Sequence, residues 1–166
     1  MPTYRHALLP GSYDPPTVGH LDVIRRACSL SERVTVGVFV NPDKTCLFSP
    51  LERVTLLRLA CASMPQVTVI CDEGMVYRYA REHGCDIIIK GYRDQDDFSY
   101  EYRMARFNAD HALVETRLLE ADPTLANVRS TEVRRRLEAG EPIDELVPPA
   151  VADEIARLLR AKKPLP

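Results

Sequence analysis

The chain has 166 residues, a net charge of −2, 45% hydrophobic residues and 28% charged residues. That is enough chain for one domain with a real core. It excludes a bulk electrostatic pull toward nucleic acid or an anionic membrane, and no stretch approaches the ~20 apolar residues of a membrane span. The run His6-Ala7-Leu8-Leu9 reads as a first strand, and Leu21 to Cys28 as the helix that follows it. Arg5 and His6 break the opening segment, which therefore does not resemble a signal peptide. Arg33 to Val40 is β-branched and apolar, the pattern of a buried strand, and Leu51 to Ser63 carries Val54, Leu57 and Cys61 at helical spacing. Gln66 to Ile70 reads as a third strand, and Met75 to His83 as a helix ended by Gly84. Asp86-Ile87-Ile88-Ile89 is almost wholly apolar, as a central parallel strand should be. A long helix over Asp96–His111 and a weaker strand over Thr116–Leu119 follow, then helices around the breaks at Gly140 and Pro148-Pro149.

Strands alternating with helices predict an α/β fold, a parallel sheet wrapped by helices, with ligands beyond the carboxyl ends of the strands. No repeat or linker interrupts residues 1–166, so one domain is expected. The five cysteines, Cys28, Cys46, Cys61, Cys71 and Cys85, are well separated and form no C-x-x-C pair. Neither a zinc site nor a redox motif is supported, and reduced thiols in a cytoplasmic setting are the simplest reading.

Three groups of residues carry chemistry, the first two of them at strand ends. In the first, Gly11-Ser12-Tyr13-Asp14-Pro15 leaves the first strand and Thr17-Val18-Gly19-His20 enters a helix. A helix N-terminus offers unpaired N–H groups and partial positive charge, which suits a phosphate. In the second, Lys44 lies on the loop after the second strand, and Lys90-Gly91-Tyr92-Arg93 follows the fourth, ahead of Asp97-Phe98-Ser99-Tyr100-Glu101. A phosphate group in reaction gathers negative charge, and cations at such strand ends suit it. In the third, Val128-Arg129-Ser130-Thr131-Glu132 opens a C-terminal helix that Ser130 or Thr131 is expected to cap.

Gly-x-x-x-Pro followed by Thr-x-Gly-His resembles the signature of the nucleotidylyltransferase superfamily. The Lys90–Arg93 and Asp97–Glu101 segments resemble the R-G-x-R…D-F-x-Y-E block of bacterial phosphopantetheine adenylyltransferases. Between Gly11 and about Pro149 the resemblance needs no large insertion. It implies a Rossmann-like five-stranded parallel sheet with helices on both faces and a helical C-terminal region. The implied reaction joins adenylate from ATP to 4′-phosphopantetheine, with magnesium, giving dephospho-coenzyme A and pyrophosphate. On this resemblance His20 stabilises the transition state, with Lys44 and Arg93 beside it in the catalytic set. Ser12 and Lys44 hold the acceptor phosphate, Lys90 binds substrate, and Val76 lies near the pantetheine arm. Tyr13, Gly91, Tyr92, Arg93 and Glu101 contact ATP, together with Ser12 and His20. Val128, Arg129, Ser130, Thr131 and Glu132 line its triphosphate. No residue is assigned as a metal ligand.

The chain departs from the family pattern at Lys90, where arginine is usual, and at Arg129, where a serine is usual. Lysine keeps the charge and loses the bidentate fork. A second acceptor such as nicotinate mononucleotide, a cytidylyl transfer, or a non-catalytic nucleotide-binding relative stays open on the residues alone. The resemblance also implies coenzyme A binding as product and a homohexamer. The Asp96–His111 helix offers two apolar stripes to such an oligomer. Phe98, Tyr102, Ala105 and Ala109 form one, and Tyr100, Met104, Phe107 and His111 form the other.

Overall fold

A computed structural model describes residues 1–163. Strand β1 (Tyr4–Gly11) is followed by α1 (Val18–Leu30), β2 (Ser31–Phe39), α2 (Pro50–Ala60), β3 (Val67–Asp72) and α3 (Val76–Glu82). Then come β4 (Ile87–Tyr92), α4 (Gln95–Ala112), β5 (Glu115–Glu120), a 3-10 turn at Pro123–Leu125, α5 (Ser130–Ala139) and α6 (Pro149–Lys162). The five strands pair in parallel in the order β3-β2-β1-β4-β5. The chain reverses direction across the sheet between β1 and β4, which opens a crevice at their carboxyl ends.

The two-residue period of the strands sorts their side chains onto two unequal faces. Ala7 and Leu9 of β1, Val34, Val36 and Val38 of β2, and Ile87 and Ile89 of β4 point to the larger core. There they meet Ile24 of α1, Leu57 of α2 and Val151 and Ile155 of α6. Leu8 and Ile88 point the other way, into a smaller cluster with Ala80, Cys85 and Val114. Helices therefore cover both faces, as expected. The second face is thinner because several of its positions carry polar groups. His6 and Thr35 lie there, joined by a 2.8 Å hydrogen bond between Nε2 and Oγ1.

The expected elements are all present, and most strands run further than their apolar residues do. β1 continues to Gly11 and β4 to Tyr92, because parallel partners satisfy the backbone groups of flanking residues whatever their side chains. Gly84 adopts φ +62 after α3, the left-handed conformation that ends a helix most easily at glycine. The 3-10 turn at Pro123–Leu125 has no apolar period and was not anticipated; Asp122 accepts the Thr124 N–H at its start. The expected cap of α5 is not made. Arg129 occupies the N-cap, and among the described residues no side chain caps that helix. Ser130 instead donates its hydroxyl to the Pro15 carbonyl at 2.7 Å.

Helix α4 packs on β5, α3 and β4. Of its two expected stripes, Phe98, Ala105 and Ala109 are half-buried and Tyr102 is exposed. Tyr100, Met104, Phe107 and His111 all face solvent, and the one buried residue of the helix is the polar Asn108.

Candidate active site

A cavity of about 320 Å³ opens where β1 and β4 end, and it gathers the three chemistry-bearing segments. Its floor is the turn after β1. Tyr13 is held at φ +49, in the left-handed region that a bulky residue adopts only when its surroundings fix it. The ring is fixed by a hydrogen bond from its hydroxyl to the Leu9 carbonyl, 3.0 Å, and lies edge-on to the His20 imidazole at 4.9 Å. Gly11 is required beneath it, because a Cβ there would sit 2.9 Å from the Tyr13 ring.

His20 is the third residue of α1 and closes a capping box with Thr17. The Thr17 backbone N–H donates to His20 Nδ1 at 3.0 Å, and the His20 backbone N–H donates to Thr17 Oγ1 at 3.3 Å. Nδ1 is thus an acceptor, so the neutral ring carries its proton on Nε2. Burial, and after it the charges of Arg93 and Lys90, lower the His20 pKa to about 4. At neutral pH the cavity is presented with an uncharged imidazole whose Nε2–H can donate to an oxyanion.

Cations surround this donor. Lys44 reaches back from its exposed loop to donate to Ser12 Oγ at 3.2 Å, which joins the two residues assigned to the acceptor phosphate. On the β4 side, Lys90 pairs with Glu101 at 3.1 Å and Arg93 with Asp97 at 3.0 Å. From α5, Arg129 pairs with Asp94 at 3.0 Å. Ser130 and Thr131 lie at the uncapped start of that helix, where free N–H groups suit phosphate oxygens. Gly19, Gly91, Tyr92 and Val128 complete the wall.

Two expected residues lie elsewhere. Val76 begins α3 and packs against the smaller core rather than lining the cavity. Glu132 turns away from it and is bound by Arg135 at 2.9 Å and Arg136 at 3.0 Å.

Two further residues had no role assigned from the sequence. Arg134 lines the cavity and donates to the Asp14 carbonyl at 2.7 Å. It sits in an undistinguished run, Arg134-Arg135-Arg136, yet only its spacing of four from Ser130 places it on the cavity face. Arg53 is buried on α2 and donates to the Phe48 carbonyl at 3.0 Å and the Ser12 carbonyl at 2.8 Å. It ties the Lys44 loop to the turn after β1. Its signal in the sequence was a cation on the apolar face of a helix.

No group of three or more His, Cys, Asp or Glu side chains suited to a metal occurs among the described residues. The carboxylates at the cavity are engaged by the cations named above. No helix of the described residues is long and apolar enough to cross a membrane.

Residues 8–136 match the cytidylyltransferase-like family. The chain is similar to the phosphopantetheine adenylyltransferase of Clavibacter michiganensis subsp. michiganensis, at 44% identity over 92% of this chain and 96% of that one. It is similar also to the phosphopantetheine adenylyltransferase of Symbiobacterium thermophilum, at 40% identity over 94% of each chain. The phosphopantetheine adenylyltransferase of a Nocardioides species is 38% identical over 93% of this chain and 98% of its own.

Proposed function

The chain belongs to the phosphopantetheine adenylyltransferases of the cytidylyltransferase-like family, and from that membership and the cavity's geometry we propose that it transfers adenylate from ATP to 4′-phosphopantetheine. The products are dephospho-coenzyme A and pyrophosphate. The observation that carries this reading is the Nε2–H of a neutral His20, set between Ser12 and Lys44 on one side and Lys90 and Arg93 on the other.

An oxygen of the acceptor phosphate attacks the α-phosphorus of ATP, and the bond from that phosphorus to the β-phosphate oxygen breaks. The acceptor is already an anion, so the protein supplies no general base. Its work is positioning and charge stabilisation. Ser12 and Lys44 hold the acceptor phosphate, and His20 donates to the α-phosphate as its charge rises. Arg93, Arg129 and the start of α5 receive the β- and γ-phosphates. Magnesium enters with the nucleotide as part of the substrate.

Pyrophosphate release tests the reading, with ATP and CTP offered against 4′-phosphopantetheine and nicotinate mononucleotide. Turnover is expected for ATP with 4′-phosphopantetheine; turnover with only another pair would overturn it. Lys44→Ala should raise the KM for 4′-phosphopantetheine by more than that for ATP. The reason is that its loop meets the turn after β1 at Ser12, away from Arg93. Equal changes for the two substrates would remove Lys44 from the acceptor site.

Residues 1–166 act in this reading as one catalytic domain of a homo-oligomer, in the cytoplasm. Support for the oligomer comes from one face of α4, where Tyr100 is 55%, Met104 37% and Phe107 36% exposed. So large an apolar face is unusual on a monomer. Sedimentation at micromolar concentration should show an assembly that Phe107→Asp weakens. A clean monomer of the unaltered chain would refute it.

A further inference from the structure

Three cations on the β4 and α5 sides of the cavity are each held by an acid from one short stretch of chain. Asp94 holds Arg129, Asp97 holds Arg93, and Glu101 holds Lys90. The Asp94–Arg129 pair differs from the other two in what it joins. Asp94 is the N-cap of α4 and Arg129 the N-cap of α5, so the ion pair links the starts of two helices that flank the cavity.

The two oxygens of Asp94 have separate tasks. Oδ1 accepts the Asp97 N–H at 2.9 Å and caps α4, while Oδ2 takes the Arg129 guanidinium at 3.0 Å. The cap fixes the carboxylate in place, so Oδ2 can lose its partner and regain it without the helix unwinding. Both side chains are close to half exposed, 45% and 44%, and an exposed pair of this kind exchanges partners at little cost. Two oxygens of a phosphate can accept the guanidinium fork in the same bidentate way as the two oxygens of a carboxylate.

We propose that Asp94 is the exchange partner of Arg129, a positioning residue that yields the guanidinium to the nucleotide's phosphate chain and takes it back as pyrophosphate departs. The inference rests on the adenylyl-transfer reading above. Asp94 acts through Arg129 and touches no reacting atom. Its effect is to weaken the hold on ATP and pyrophosphate alike, which keeps the product from lingering.

The test is a double-substitution cycle with Asp94→Asn, Arg129→Ser and both together. Asparagine caps a helix as well as aspartate does, so Asp94→Asn removes the charge and keeps α4 intact. The melting temperature reports whether it has. Calorimetric titration with ATP and with inorganic tripolyphosphate, and product inhibition by pyrophosphate, supply the readouts. Arg129→Ser alone should weaken ATP binding. Asp94→Asn should tighten binding of ATP and tripolyphosphate and lower the inhibition constant of pyrophosphate, each by about 2–5-fold, the scale of one exposed ion pair. In the Arg129→Ser background the same change should give a clearly smaller gain, since only the general field of the lost charge remains.

An equal gain in both backgrounds, or no gain beside Arg129, would overturn the exchange. A merely structural role for Asp94 would lower the melting temperature and weaken binding, and that too would overturn it. Failure of the adenylyl-transfer reading shows separately, as absent pyrophosphate release by the unaltered protein, whereas tripolyphosphate binding reports the exchange without adenosine or acceptor.

Discussion

Replacing His20 with alanine is expected to lower kcat by roughly 10²–10⁴-fold, the usual scale for losing one donor aimed at developing charge. ATP affinity should change far less, because the donor matters most when charge rises on the attacked phosphate. Kinetics and nucleotide titration on the same preparation check this, and near-normal turnover would take His20 out of the mechanism. The substitution also removes half of the capping box with Thr17, at a cost of about 1 kcal/mol, so a melting curve must accompany the assay. The pH dependence has a definite sign. The folded protein holds the His20 pKa at about 4, below its ordinary 6.5. As pH falls between these values, the unfolded chain takes up a proton that the folded one refuses. The stability contributed by this residue is therefore complete above pH 6.5 and is lost as pH falls toward 4. Activity that depends on neutral His20 should stay level through neutral pH and decline only in acid. A bound anionic substrate favours the imidazolium and shifts that decline upward.

Asp14→Ala should be the most damaging single change to the scaffold of the site. Asp14 is buried, and its carboxylate accepts the backbone N–H groups of Leu47 at 2.8 Å and Phe48 at 2.9 Å. Arg134 stands 3.8 Å from the same carboxylate. Alanine would strand two donors and remove the nearby charge that faces Arg134, at a cost of about 3 kcal/mol. For a chain of this size that lowers Tm by roughly 6–12 °C. The loop carrying Lys44 ends at these N–H groups, so the KM for the acceptor should rise even at temperatures where the variant is folded. Thermal unfolding and acceptor kinetics test the two halves. A fall in Tm of only a degree or two would mean that water replaces the carboxylate.

Much of the site was legible because its residues are local in sequence. Ser12, Tyr13 and His20 lie on one strand–turn–helix passage, and Lys90, Gly91, Tyr92 and Arg93 on one strand end. Strand and helix periods fixed which loops share an edge of the sheet, and the alternation of elements made that sheet parallel. The sequence alone therefore determined the fold class, the element order and the segments that meet.

Tertiary structure decided how these segments face one another. Arg134 and Arg53 became part of the site through bonds to carbonyls 120 and 41 positions away, at Asp14 and Ser12. No local pattern encodes such distances. Glu132 and Val76 were placed outside the cavity for the same reason. A helix points successive residues 100° apart, and the direction that faces the ligand depends on where the whole helix docks. Nothing local in the sequence pairs Arg129 with an acid, and only the meeting of the α4 and α5 starts gave it Asp94. The tautomer and charge of His20 were likewise beyond the sequence. They depend on a backbone N–H at 3.0 Å, on burial, and on two cations brought in by β4.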